Sequence, residues 1–194
     1  MSEVLAYSRN LSMSVDELLP VSSTLRMDIE SLLDAYHDDR SNQALRRVLI
    51  RSSWSMIEGT VFCAKQLTLR ACELGSINLP AGEHVFLSEL RFIVDQAGNA
   101  KVNSVREDTL SNLKRALKIV ALRFDVAWKP DFGGKGWQAL TSSLDIRHRL
   151  THPKSSSELE VSDHELSLHQ AGFGWFVQSF NGFQLALLAK YGKA

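Results

Sequence analysis

The sequence predicts an all-α fold, a four- to five-helix bundle carrying a loop or short hairpin insertion, on three observations. Long stretches keep apolar residues at three- and four-residue spacing. Two of them open on a Ser-x-x-Glu pattern, the signature of a capping box. Pro and Gly cluster in the intervals between them. With 194 residues the chain has the size of one domain, read as 1–194, with 1–40 an N-terminal helical arm and 41–194 the core bundle. At 44% apolar and 23% charged residues, with 11 Gly and 4 Pro, it is no collagenous, low-complexity or disordered chain. Its 22 basic and 22 acidic side chains cancel, so binding to nucleic acid or an anionic surface must come from a local patch.

The first forty residues hold one amphipathic stretch. Leu18, Leu25, Ile29, Leu32, Leu33 and Tyr36 share its face, Pro20 interrupts it, and the polar run His37-Asp38-Asp39-Arg40 closes it. Ser41 is placed to cap a long second helix. The stripe of that helix runs through Leu45, Val48, Leu49, Ser52, Met56, Gly59, Phe62, Cys63, Gln66 and Leu67, and Ile50, Trp54, Ile57 and Val61 add apolar surface on other sides. A helix apolar all round belongs at the centre of its bundle. Between Gly75 and Val105 the texture changes: Pro80, Gly82 and Asp95-Gln96-Ala97-Gly98-Asn99 break helical spacing, and Arg91–Val94 is expected to pair with Ala100–Val105 as a hairpin.

Ser104-Val105-Arg106-Glu107 fits a capping box for the next helix, whose stripe is Leu110, Leu113, Leu117, Val120, Ala121, Phe124 and Trp128. A shorter helix from about Trp137 carries Leu140, Leu144 and Ile146 and ends near His152, because Pro153 disfavours helical geometry in the residue before it. Ser162-Asp163-His164-Glu165 is the second box. It opens a last helix through Leu166, Phe173, Phe176, Val177, Phe180, Leu187 and Tyr191.

Cys63 and Cys72 supply no disulfide framework and match no zinc spacing, so they read as buried free thiols of a reducing compartment. The N-terminal stretch lacks a basic region followed by a continuous apolar one. The most apolar window, 52–64, carries Glu58 and is shorter than the roughly 20 residues a membrane span takes. The expectation is a cytoplasmic protein with no membrane partner.

One segment stands apart: Asp145-Ile146-Arg147-His148-Arg149-Leu150-Thr151-His152-Pro153-Lys154 gathers Arg147, His148, Arg149, His152 and Lys154 at a helix end, in a neutral chain. Such a cluster is suited to an anion, and a neutral imidazole among cations can act as a base near pH 7. The plain reading is a solvated basic helix terminus that interacts favourably with the helix dipole. On an ideal helix five positions turn about 500°, so Arg147 and His152 diverge by about 140° unless the helix ends before His152. Pro153 predicts that ending.

The Arg, four residues, His arrangement of Arg147 to His152, with polar His148 directly after the Arg, ahead of the capped last helix of an all-α bundle, resembles the motif of the HEPN superfamily. The resemblance covers the helical layout from about 41 to 191. It implies a metal-independent endoribonuclease without a cofactor, acting on RNA as a homodimer in toxin or antiphage biology. It assigns Arg147 and His152 as the catalytic pair and His148 as their polar support, with Arg149 and Lys154 as substrate-binding cations. A regulatory partner such as an antitoxin is implied too. In the toxin branch paired with nucleotidyltransferase antitoxins a Tyr stands two residues after the motif His; Lys154 stands there here, which removes modification of that Tyr as the means of control. Two readings of other classes stand beside this one. The first is a non-catalytic nucleotide- or RNA-binding module. The second is a helical adaptor in which Arg147 is tied up in a buried ion pair, for instance with Asp145 or Glu165.

Other features read as structure. Gly133-Gly134-Lys135-Gly136 lacks P-loop spacing and reads as a flexible connection. His37-Asp38-Asp39 reads as a polar helix end, and His164 and His169 as a cap-region and a surface or interface histidine. No metal site is expected. Phe173, Trp175, Phe176, Phe180 and Phe183 cover more than one helix face, which suits core plus a dimer interface.

Overall fold

The computed structural model describes residues 2–94, 96–97, 100–104 and 107–192. The fold is an all-α bundle, with six α-helices among those residues rather than four or five. They are α1 (Ser2–Asp38), α2 (Gln43–Glu73), α3 (Ala81–Leu87), α4 (Thr109–Arg123), α5 (Lys135–Thr151) and α6 (Asp163–Tyr191). The antiparallel hairpin expected after α3 is present, with β1 (Leu90–Val94) paired to β2 (Ala100–Ser104) in the register Leu90↔Ser104 to Val94↔Ala100. No helix of the described residues is long and apolar enough to cross a membrane.

The chain divides into two compact units, and two of the three boundaries, at 20/21 and 59/60, fall within helices. One unit takes the chain through Pro20 and Thr60–Val126; the other takes Val21–Gly59 and the chain from Ala127 onward. Both α1 and α2 contribute to each. The helix α1 is continuous through Pro20, because a proline removes one N–H from the ladder while the bonds to either side persist. Its expected face is the inward one, with Ile29 and Tyr36 buried.

The cap of α2 falls one residue later than expected. The Asn42 side chain accepts from the amides of Ala44 (3.0 Å) and Leu45 (3.2 Å), while Ser41 bonds Asp39 instead. Its buried side is also different. Leu49, Ile50, Trp54, Ile57, Val61 and Ala64 are buried, whereas Val48 and Phe62 of the expected stripe are 39% and 45% exposed. Periodicity cannot choose a face on a helix that is apolar all round; the bulk of Trp54 does. Cys63 and Cys72 are not joined in a disulfide, and both are half-buried rather than buried. The helix closes at Gly75, whose φ of +71° provides a left-handed stop that a side chain would strain.

In the unit containing Thr60–Val126, Lys65 is the residue the sequence hides best. It is 1% exposed, its Nζ donates to Glu89 (3.0 Å) and Asn112 (2.5 Å), and it lies 4.7 Å over the Phe86 ring. The α4 stripe is as expected, with Leu113, Leu117, Val120, Ala121 and Phe124 buried. Its cap is not: Asp108 accepts from the Ser111 amide at 2.9 Å, and Glu107 pairs with Arg115. Of the expected Ser104–Glu107 box, 105 and 106 lie outside the described residues.

In the other unit α5 lies along α6. Gly172 makes this possible, since a Cβ there would come within 2.5 Å of the Leu140 backbone. The glycines at the start of α5 are part of the build rather than a loose connection: Gly134 is the N-cap, and a Cβ on Gly136, inside the first turn, would meet the Trp175 ring at 2.4 Å. Phe132, Trp137 and Trp175 stack edge to face at centroid distances of 5.0 to 5.8 Å.

Candidate functional site

The motif occupies the last turn of α5 and the first residues beyond it. The helix ends at Thr151, and His152 is the C-cap with φ −128° and ψ 56°, outside helical space, as Pro153 requires. The His152 amide still donates to His148 O at 3.0 Å, and Thr151 Oγ1 donates to Arg147 O at 2.7 Å. His148 and His152 are exposed. Lys154 is exposed too, and its amide donates to Glu158 Oε2 at 2.7 Å.

Arg147 is held by a residue of α2. Its Nη2 donates to both oxygens of Glu58, at 3.0 and 3.3 Å, with the two side chains 25% and 40% exposed. The partner is therefore neither Asp145, which is exposed, nor Glu165, and the pair is only partly buried. Among the described residues the Arg147 side chain bonds neither histidine. The geometry leaves Nε and Nη1 of Arg147 for another acceptor while Glu58 fixes the third nitrogen.

Arg149 does different work. Its guanidinium donates to Glu158 O, to Glu160 O (3.0 Å) and to Glu165 Oε1 (2.5 Å), which is the pattern of a brace. Glu165 also closes the box at the start of α6, accepting from the Ser162 amide and hydroxyl at 2.9 Å. Burial pushes its carboxyl up, but the Ser162 bonds and Arg149 outweigh this and hold it below the usual carboxylate range. The segment after the motif is clasped from α2 as well. Arg47 donates to Leu159 O, Arg46 to Val161 O, and Gln43 both donates to and accepts from the Val161 backbone. Arg51 donates to Leu150 O in the final turn of α5. Most of the local arginines thus hold main-chain carbonyls.

Further back along α5, at Ser143, lies a buried polar relay. Trp54 Nε1 donates to Ser143 Oγ (3.0 Å), and the Ser143 hydroxyl shares a second hydrogen bond with His169 Nδ1 (2.8 Å). His169 is buried, not at the surface, and stacks on Phe173; burial pushes its pKa down to about 4, so the ring is neutral. A separate cleft of about 680 Å³ is lined by Tyr36, His37, Arg40, Arg46, Asp163 and Gln170, and none of the motif residues lines it. Among the described residues no group of three or more His, Cys, Asp or Glu side chains is placed to hold a metal ion.

Sequence reasoning missed Glu58 and Arg51. Both lie in a helix about 90 positions before the motif, and nothing local marks them. Their seven-residue separation, two helical turns on one face of α2, is the only available signal. No protein-family model, curated protein or solved structure matches the chain.

Proposed function

We propose that this chain is a metal-independent endoribonuclease of the HEPN type, with Arg147 and His152 as its reacting pair and His148 as their polar support. The observation that carries the reading is the end of α5 at Thr151. It puts Arg147 just before the last helical turn and exposed His152 at the C-cap, with φ and ψ outside helical space. His152 takes the proton of a 2′-hydroxyl as it attacks the adjacent phosphate. Arg147 stabilises the charge gathering on the phosphoryl oxygens. The 5′-oxygen leaves with a proton from water or from the returning imidazolium, and a 2′,3′-cyclic phosphate remains. Lys154 supplies a nearby cation for the RNA backbone. The working unit is a homodimer, supported by large apolar side chains such as Leu185 and Leu188 that stand 67% and 63% exposed on α6. A toxin or antiphage role, in the cytoplasm and under a regulatory partner, completes the reading.

The Arg147–Glu58 pair favours one other reading, the helical adaptor in which Arg147 is tied up in an ion pair with a carboxylate. One experiment separates them. Purified protein incubated with RNA in EDTA should cleave it, and Arg147→Ala and His152→Ala should each lower the rate by about 10² or more. The double variant should be little worse, because residues that share one transition state are non-additive. Cleavage only with added divalent metal, or full activity in His152→Ala, overturns the nuclease reading.

A further inference from the structure

Arg51 is an expensive way to make one hydrogen bond. Its Nη2 donates to the Leu150 carbonyl, its side chain is half-buried, and its Nε is buried with no hydrogen-bond partner. Leaving a buried donor of a charged group unpaired carries a desolvation penalty, a burden that a Met of similar length would not carry. The bond is made at a particular place. Carbonyls of the last turn have no intrahelical partner, and Leu150 is two residues before His152, where the chain turns out of the helix. Glu58, two turns along α2 from Arg51, holds Arg147, three residues before Leu150. One face of α2 therefore grips both the residue that carries the cation and the turn that delivers the imidazole.

We propose that Arg51 is a positioning residue of the candidate site: by fixing the Leu150 carbonyl it sets the path by which His152 leaves α5 on the side of Arg147. This rests on the nuclease reading for its chemical consequence, while its structural half stands alone. Arg51 touches no reacting atom. Its guanidinium also places a fixed positive charge at the negative end of the α5 dipole, which favours the bound geometry over a frayed last turn. The carbonyl bond needs a donor, so a neutral side chain of the same length removes it and a lysine restores it in part.

The test uses the full chain and three variants, Arg51→Met, Arg51→Lys and Arg51→Gln, with two readouts. Amide hydrogen exchange at Thr151 and His152 should speed up about tenfold in Arg51→Met relative to α6 amides, and Arg51→Lys should recover part of that protection. Cleavage of an RNA oligonucleotide in EDTA should show kcat lowered about tenfold in Arg51→Met with KM changed less than twofold, since the residue does not bind substrate. If Arg51→Met fails to fold, Arg51→Gln carries the same two comparisons. Unchanged exchange at Thr151 and His152 overturns the proposal. A raised KM at constant kcat overturns it as well, because that is the behaviour of a substrate contact. Wild-type protein that does not cleave RNA sinks the nuclease reading alone, and the exchange measurement still decides whether Arg51 holds the turn.

Discussion

At the start of α5, contact is steric: Gly136 admits the Trp175 ring, Gly172 admits the Leu140 backbone, and three aromatic rings close edge to face around Phe132. At its exit the holding is polar, through Arg51 on Leu150 O, Arg147 on Glu58, and Arg149 on two carbonyls and Glu165. Close packing resists displacement of even a few tenths of an ångström. Partly exposed ion pairs and hydrogen bonds exchange partners at small net cost. On the proposed nuclease reading, a centre that grasps and releases a phosphate belongs at the second kind of end, with the first kind holding the helix still.

That contrast can be broken at its strongest point. Gly172→Ala places a Cβ 2.5 Å from the backbone of Leu140, so it should destabilise the protein by about 3 kcal/mol, read from urea unfolding midpoints. A loss under about 1 kcal/mol would mean that the packed end yields after all. The buried relay between the two ends gives a pH signature. His169 titrates near 4 in the fold against 6.5 as the ordinary value, so the unfolded chain binds its proton first. The stability that the neutral ring contributes is complete above about pH 6.5 and is lost as pH falls toward 4, by about 3 kcal/mol in total. His169→Gln keeps an acceptor for Ser143 and should flatten the slope in that window; equal slopes in both proteins would refute the assignment. The exit should respond least. Arg149→Met should cost about 1 kcal/mol, and a cycle with Glu165→Gln should give a coupling below that, since both side chains are about a quarter exposed. A loss above about 3 kcal/mol would show the exit to be as rigid as the start.

What the sequence made legible follows from the range of each cause. Pro153 acts on the residue before it, so the end of α5 could be read at once, and Ser162 and Glu165 act across three residues, so the start of α6 could be too. Both legs of that box are formed as read. Competition between neighbouring caps was harder: Asn42 took the place expected for Ser41, because adjacent short polar side chains can each reach the free amides, and Asp108 is the cap where Ser104 was expected. The short helix α3 sits among Pro80 and Gly82 and carries no periodic signal of its own. The site was half legible. Its motif lies within six residues, but Glu58 and Arg51 reach it only through folding, and the cation cluster that looks free in sequence is divided in space between Arg147, whose bonds all go from Nη2 to Glu58, and Arg149, whose Nη1 and Nη2 are both engaged.

The clasp on residues 158–161 has a consequence for how this region can change. Arg46, Arg47, Gln43 and Arg149 address main-chain oxygens, which every amino acid presents. Apart from Glu158, whose carboxylate accepts from the Lys154 amide, the side chains from Ser155 to Glu160 are not what the clasp reads. Apart from Glu158, the exposed positions of the loop behind the motif can therefore be changed while its trajectory is kept, which makes it a permissive stretch for an inserted label.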